Sequence, residues 1–251
     1  MRIDHPTRED IPGLRKLWKI AFGDTDEFLD RFFSLSFSPA RCRCIMAEDE
    51  VAAAHYWFDC TCAGQKFAYL YAVATHPAHR GKGLCRALMA DARELLAAQG
   101  YHGLILVPQD APLIAMYKKL GFTGCTAVTE FTAPAEEPIP MRRLTTAEYS
   151  AARQELLPPG GMVQEAENLA LLASYAWFFA GQDWIAAVSA EKGKLRCHEL
   201  LGNPDAAYGI TAALGCREGS FRVPGQDLPF AMYLPLTEDC VKPGYFGLAL
   251  D

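Results

Sequence analysis

The sequence predicts a mixed α/β (α+β) protein built as two successive units, the second smaller than the first. Three observations predict it. Tyr69 to Phe122 reads as strand, glycine-rich turn, helix, strand and second helix. Pro134 to Pro140 (PAEEPIP) places three prolines and two glutamates in seven residues, the composition of an extended, solvated linker. After that linker the pattern starts again. Met141 to Leu144 is strand-like, and Thr145-Thr146-Ala147-Glu148 echoes Thr7-Arg8-Glu9-Asp10, a helix-opening capping box.

In order along the chain, Arg2 to His5 forms a first strand. Ile11, Leu14, Leu17 and Trp18 follow Thr7 and Pro12 at helical spacing. Phe28 to Phe37 is a second, aromatic helix. Cys42 to Ala47 and Val51 to Cys62 read as strands joined at Glu48-Asp49-Glu50, and a turn at Ala63 to Lys66 leads into the strand Phe67 to Thr75, which Pro77 stops. Leu84, Leu88, Ala92 and Leu95 mark a helix that Gly100 closes. Gly103 to Val107 (GLILV) reads as a buried parallel strand. A helix from about Pro112 to Leu120 ends at Gly121, and Thr126 to Thr132 is the next strand.

Between the strand at Thr75 and the helix at Leu84 lie Arg80, Gly81, Lys82 and Gly83, with Arg86 one turn on. A glycine-rich turn that opens a helix presents unpaired N–H groups and the positive end of the helix dipole, which suits a phosphate. The same turn also serves as a plain surface loop. Neither a Walker A pattern nor GxGxxG is present.

Two motifs make a family resemblance specific. Arg80-Gly81-Lys82-Gly83-Leu84-Cys85 resembles the [QR]-x-x-G-x-[GA] loop of the GNAT N-acetyltransferase superfamily, with Cys85 in place of the closing Gly or Ala. Asp110 to Phe122 resembles that family's N-x-x-A-x-x-L-Y-x-K-L-G-F helix at Tyr117, Lys119, Leu120, Gly121 and Phe122; Asp110 replaces Asn and Leu113 replaces Ala. The resemblance covers roughly the first half of the chain. It implies a central twisted mixed sheet flanked by helices over 1–135, an acetyl-CoA-binding domain. Residues 141–251 are then a degenerate GNAT-like domain that completes the acceptor cleft, with Ala213-Leu214-Gly215-Cys216 standing for Lys119 to Phe122 and no room for a cofactor loop.

Composition is consistent with an enzyme expected in the cytoplasm. The chain has 251 residues, 51% of them hydrophobic, and a net charge of −6. No apolar run approaches the ~18 residues that cross a bilayer, the N-terminus lacks a signal-peptide core, and no long basic tract invites nucleic acid. Neither membrane nor nucleic acid is therefore an expected partner; a monomer or homodimer is. Nine scattered cysteines do not form a disulfide framework. Cys42, Cys44, Cys60 and Cys62, paired at i and i+2 on neighbouring strands, would gather four thiols if the register allowed it. Buried thiols are the ordinary reading, and no metal is expected.

Acetyl transfer to an amine has three requirements. By resemblance, Val73, Ala74 and Thr75 offer backbone groups to the pantetheine arm of acetyl-CoA. Arg80, Gly81, Lys82, Gly83, Leu84, Cys85 and Arg86, with Asp110, complete the cofactor site. A backbone N–H near Val73 meets the oxyanion, and Tyr117 is the acid that protonates the departing thiolate. The family's usual glutamate base, eleven residues before the motif, is Tyr69 here. Asp59, His55 or bulk water are substitutes. The run VAT-x-P-x-x-R-G-x-G-L also resembles the enhanced-intracellular-survival type, which implies a terminal carboxylate, Asp251, as a further catalytic candidate. The resemblance implies a small-molecule or peptide amine as acceptor. A noncatalytic acyl-CoA sensor, or transfer of another acyl group, stands as the alternative.

Overall fold

The computed structural model describes residues 2–47, 50–191 and 193–250. The expected turn at Glu48-Asp49 and the candidate Asp251 lie outside the described residues. The chain forms two compact units, residues 1–123 with 233–241, and residues 124–232 with 242–251.

In the first unit, β1 (Ile3–Asp4), β2 (Cys42–Ala47), β3 (Glu50–Cys62) and β4 (Gln65–Thr75) form an antiparallel meander. Ala63 and Gly64, both at positive φ (48° and 78°), make the two-residue turn from β3 to β4. β5 (Gly103–Leu106) runs parallel to β4, and beyond it lie β15 (Met232–Pro235) and β6 (Thr123–Gly124). The helices are α1 (Ile11–Phe22), α2 (Asp26–Leu35), α3 (Leu84–Ala98) and α4 (Ala111–Lys119). Gly23 at φ 75° ends α1, and the Thr25 side chain caps α2.

Alternation along β3 divides the core. Tyr56 and Phe58 meet the aromatic residues of α1 and α2: Trp18 lies 4.6 Å from Phe32 and 5.1 Å from Tyr56 between ring centroids. On the other face α3 buries Leu88, Ala92 and Leu96, and its Asp91 takes both ends of the Arg43 guanidinium at 2.7 Å. His55 shares this second face.

In the second unit, β8 (Arg142–Leu144), β10 (Trp177–Ala180), β11 (Trp184–Glu191) and β12 (Lys194–Gly202) repeat the antiparallel meander. α7 (Ala206–Ala213) then crosses to β13 (Glu218–Pro224), which runs parallel to β12, and β7 (Ala127–Pro134) and β14 (Leu228–Pro229) complete the sheet. α5 (Thr146–Leu156), β9 (Val163–Gln164) and α6 (Glu167–Ala173) lie between β8 and β10 along the chain. A capping box at Thr145 and Glu148 opens α5, as one at Thr7 and Asp10 precedes α1. By connectivity α7 stands where α3 stands in the first unit. The likeness of residues 213–216 to 119–122 therefore reflects shared helix-end chemistry: Gly121 and Gly215 both take positive φ (95° and 69°) and close with equivalent backbone bonds.

Three sequence expectations change. The strand at Ala127–Pro134 belongs to the second sheet, because it pairs with β13 over seven residues. The proline-rich linker is not free in solvent: Ala135 N–H bonds Arg217 O, Glu136 N–H bonds Tyr208 O, and Ile139 packs on the α7 core. The four thiols do not converge. Cys42 and Cys44 face Tyr56 and Ala54, whereas Cys60 and Cys62 face Phe67 and Gln65, roughly four residues or ~13 Å along β3.

The last segment is irregular rather than a strand, yet Tyr245 to Leu250 is buried. It binds both central strands of its unit. Tyr245 Oη donates to Glu199 of β12 at 3.0 Å, and Arg222 of β13 donates to Gly247 O at 3.4 Å. Glu199 also accepts Arg153 at 2.6 and 3.0 Å and the Tyr149 hydroxyl at 3.0 Å, all fully buried.

His55 is wholly buried, neither ring nitrogen has a hydrogen-bond partner among the described residues, and burial pulls its pKa down from 6.5 to about 4. The folded protein therefore resists a proton that the unfolded chain accepts below pH 6.5. Stability is intact above that pH and falls as the pH drops toward 4, by about 2 kcal/mol between pH 7 and 5. His55→Leu should remove most of that slope in urea melts across pH 7 to 5. An unchanged slope in the variant would assign the loss to other groups.

Candidate active site

The site starts from a defect in β4. Its pairing with β5 covers only Phe67–Tyr69 against Gly103–Ile105. On the β3 side the register steps from Tyr56↔Tyr71 to Ala54↔Ala74, so that Ala72 and Val73 both oppose His55. Ala72 takes φ 47°, a left-handed conformation that costs an alanine about 1–2 kcal/mol. The bulge turns β4 away from β5. Among the described residues, no strand pairs with the β5-facing edge of β4 at Val73–Thr75.

The chain leaves β4 through a short 3₁₀ turn, Pro77–His79, and reaches α3 through Arg80 to Gly83. Gly81 and Gly83 take φ 74° and 79°, and a Cβ at either would meet nothing within 4 Å. Glycine here answers to backbone conformation, and the space beside it stays open. α3 has 15 residues, and its N-cap Gly83 and first-turn residues Leu84, Cys85 and Arg86 line the cleft; the N–H groups of a first helical turn have no partner within the helix. Arg80 is anchored by donating from Nε to Thr75 O at 3.3 Å.

The cleft measures about 630 Å3. It brings together ten of the eleven predicted cofactor residues, namely Val73, Ala74, Thr75, Arg80, Gly81, Gly83, Leu84, Cys85, Arg86 and Asp110. Lys82 is outside its walls; its ammonium stands 3.3 Å from His79 Nδ1. Asp110 caps α4, accepting the Leu113 N–H at 2.8 Å, so its predicted binding role is joined to a helix-capping one. Tyr117 lines the cleft from α4, only 6% exposed, beside Phe122. Burial raises its phenol well above the ordinary value, with a smaller contribution from the Cys85 thiol. The hydroxyl is thus protonated at neutral pH. Ala21 and Phe22 on α1 and Gln109 before α4 also line the cleft; no spacing in the sequence marked them.

The base candidates fare differently. Tyr69 is buried among Phe58 and Tyr71. His55 is enclosed on the α3 side of the sheet. Asp59 accepts the Tyr101 hydroxyl and pairs with Arg41 at 3.6 Å, at the end of β3 remote from Val73. None of the three lines the cleft. Charge at the loop is net positive, as an anion requires.

Residues 11–122 match the model of the acetyltransferase (GNAT) family. This part of the chain belongs to that family. No curated protein matches the sequence. Among solved structures, a GCN5-related N-acetyltransferase from Kribbella flavida aligns over 94% of this chain and 72% of its own, with 17% identity and TM-score 0.71. One from Anabaena variabilis ATCC 29413 aligns over 94% and 73%, with 14% identity and TM-score 0.74. A tandem GNAT protein from the clavulanic acid biosynthesis pathway aligns over 95% and 99%, with 12% identity and TM-score 0.58. At these identities the likeness is one of fold, and it extends through both units, so the second half is GNAT-like as well. The matched family is one of acetyltransferases, which supports acyl transfer in general. No helix among the described residues is long and apolar enough to cross a membrane.

In the second unit the turn that corresponds to the glycine loop is Asn203-Pro204-Asp205, with Asp183 held to Asn203 at 3.1 Å. Two carboxylates there oppose a phosphate, and the buried tail bridges the strands where the first unit is open.

Gly83→Ala should lower stability by about 1–2 kcal/mol through left-handed strain alone. Gly103→Ala should cost more, since its Cβ would stand 2.4 Å from the Phe67 ring. Equal losses in urea melts would refute the distinction.

Proposed function

We propose that the GNAT domain moves the acetyl group of acetyl-CoA to a primary amine by direct attack on the thioester. The observation that carries this reading is one cleft that joins a bulged strand edge, a cationic glycine loop at a helix start and a buried tyrosine. The fit to the donor is physical. The loop offers open space beside Gly81 and Gly83, and two guanidiniums, Arg80 and Arg86, border it. When bound, acetyl-CoA supplies an activated acyl carbon and a thiolate leaving group.

The chain's own residues do the rest. Loop N–H groups, Arg80 and Arg86 hold phosphate charge. The edge of Val73–Thr75 that no strand pairs offers backbone hydrogen bonds to the pantetheine arm, and a backbone N–H at the bulge is a preorganised donor for the oxyanion. Tyr117 gives its proton toward the thiolate sulfur. Its raised pKa makes it a weaker acid than a thiol, near 8.5, so it acts first as a hydrogen-bond donor. The thiolate is protonated from the Tyr117 hydroxyl, and the proton that the amine loses replaces it on the phenol, so the products are the amide and the free thiol with Tyr117 unchanged. Water takes the amine's proton first, since Tyr69, His55 and Asp59 do not line the cleft. Asp251 remains a proposed base, to be tested by deleting it.

That Tyr69, His55 and Asp59 do not line the cleft supports a second reading, a noncatalytic acyl-CoA-binding protein. Acetyl-CoA at ~100 times Kd should stabilise the fold by about 2.7 kcal/mol. Gly83→Glu should abolish that shift while leaving the ligand-free melting temperature within a few degrees. Absence of any shift at millimolar acetyl-CoA would refute both readings. Tyr117→Phe separates them. For an enzyme it should lower kcat ~10²–10⁴-fold in an amine panel followed by thiol release, with little change in acetyl-CoA affinity. Equal kcat in the variant would reduce Tyr117 to packing.

A further inference from the structure

We propose that Glu50, His76 and His79 form a binding site for a divalent transition-metal ion of the zinc class, on the shoulder of the cleft. Each residue offers a ligand atom, and these atoms all lie within 4.8 Å of one another. His79 Nε2 stands 2.9 Å from Glu50 Oε1. A metal with bonds of about 2.0–2.2 Å holds adjacent nitrogen and oxygen ligands about 2.9–3.4 Å apart, so this pair is already spaced for one ion. The two imidazoles lie 5.7 Å apart between centroids and are tilted by 59°. Two histidines and one carboxylate are the donor set that suits zinc, cobalt or nickel and leaves positions for water.

The backbone fixes these ligands before any ion arrives. Glu50 opens β3, and two residues later Ala52 O accepts the His76 N–H at 2.8 Å. That bond ties the Pro77–His79 turn to the strand bearing the carboxylate. His79 N–H in turn bonds His76 O at 2.8 Å. All three side chains are half-buried. His76 Nδ1 accepts only a long bond from the Ala78 N–H, 3.3 Å, which a metal can replace.

The surrounding charges set the affinity. Lys16 Nζ stands 3.7 Å from Glu50 Oε2, and Lys82 Nζ 3.3 Å from His79 Nδ1. Both chains are exposed and able to swing into water. With the metal at Nε2, the His79 proton moves to Nδ1 and Lys82 withdraws. The loss of these two contacts weakens binding relative to a site with no cations, without blocking it. The site was not legible as a sequence motif. His76-x-x-His79 is a short pair, and its third ligand is 26 residues earlier, across the β3–β4 hairpin.

The test uses untagged full-length protein and cobalt alone, without any acyl donor, so its outcome is independent of the catalytic reading. Co2+ titration followed by visible absorption should saturate at one equivalent, with d–d bands of a nitrogen and oxygen ligand set and no thiolate charge-transfer band. Zn2+ should displace it. Glu50→Gln and His76→Gln should each weaken binding by at least ~10–100-fold, the loss seen when even an outer-shell partner is removed. Their metal-free melting temperatures should match the parent's, which shows that the variants fold. A thiolate band would place the metal on cysteine. That result, unchanged affinity in both variants, or no binding below millimolar cobalt would overturn the proposal.

Discussion

The first unit depends on one backbone constraint, the divergence of two parallel strands. β4 and β5 pair over three residues and then part, because a bulge at Ala72 and Val73 turns β4 away. A regular ladder would have consumed the N–H and C=O groups of Val73–Thr75. The left-handed alanine is the local strain that keeps this edge out of the β5 ladder. It persists because the rest of the unit over-determines it. His55 is locked beneath the bulge, Tyr71 is held in the aromatic core, and His76 N–H is bonded to Ala52.

From that divergence the chemistry follows by position. The opening lies at the carboxyl end of β4, where the chain passes through the glycine loop into α3. Phosphate-binding N–H groups and exposed backbone edge are thus successive parts of one segment. α4 delivers Tyr117 to the same space because Asp110 caps its start and Gly121 at φ 95° ends it. The tyrosine needs burial to sit there, and burial keeps it protonated.

The second unit uses the same topology for another end. Its β12 and β13 also pair over three residues, and β12 is irregular at His198. Here the chain's own Tyr245–Leu250 engages both strands. Glu199 gathers Arg153, Tyr149 and Tyr245 into a buried network whose charges are matched and whose lone pairs are used. Such a pair adds little net stability by itself, yet removing one partner leaves a charge without compensation. The network therefore specifies where the tail goes more than it strengthens the fold. With carboxylates in place of the cationic loop, the unit keeps the architecture without the anion site.

The sequence by itself determined the local chemistry. The glycine loop with its cations, the tyrosine helix ending at Gly121 and the two capping boxes are patterns of adjacent residues, and adjacent residues set turns, caps and helix faces. It also exposed the absence of a glutamate at Tyr69. Only the tertiary structure decided what depends on partners distant in sequence. Strand pairing moved Ala127–Pro134 into the second sheet and Tyr233–Pro235 into the first, because a strand joins whichever edge accepts its hydrogen bonds. Register separated Cys42 and Cys44 from Cys60 and Cys62. It also brought Glu50 to His76 and His79, enclosed His55, and engaged Asp59 with Tyr101 and Arg41. Spacing along one strand cannot show which residue will stand opposite it.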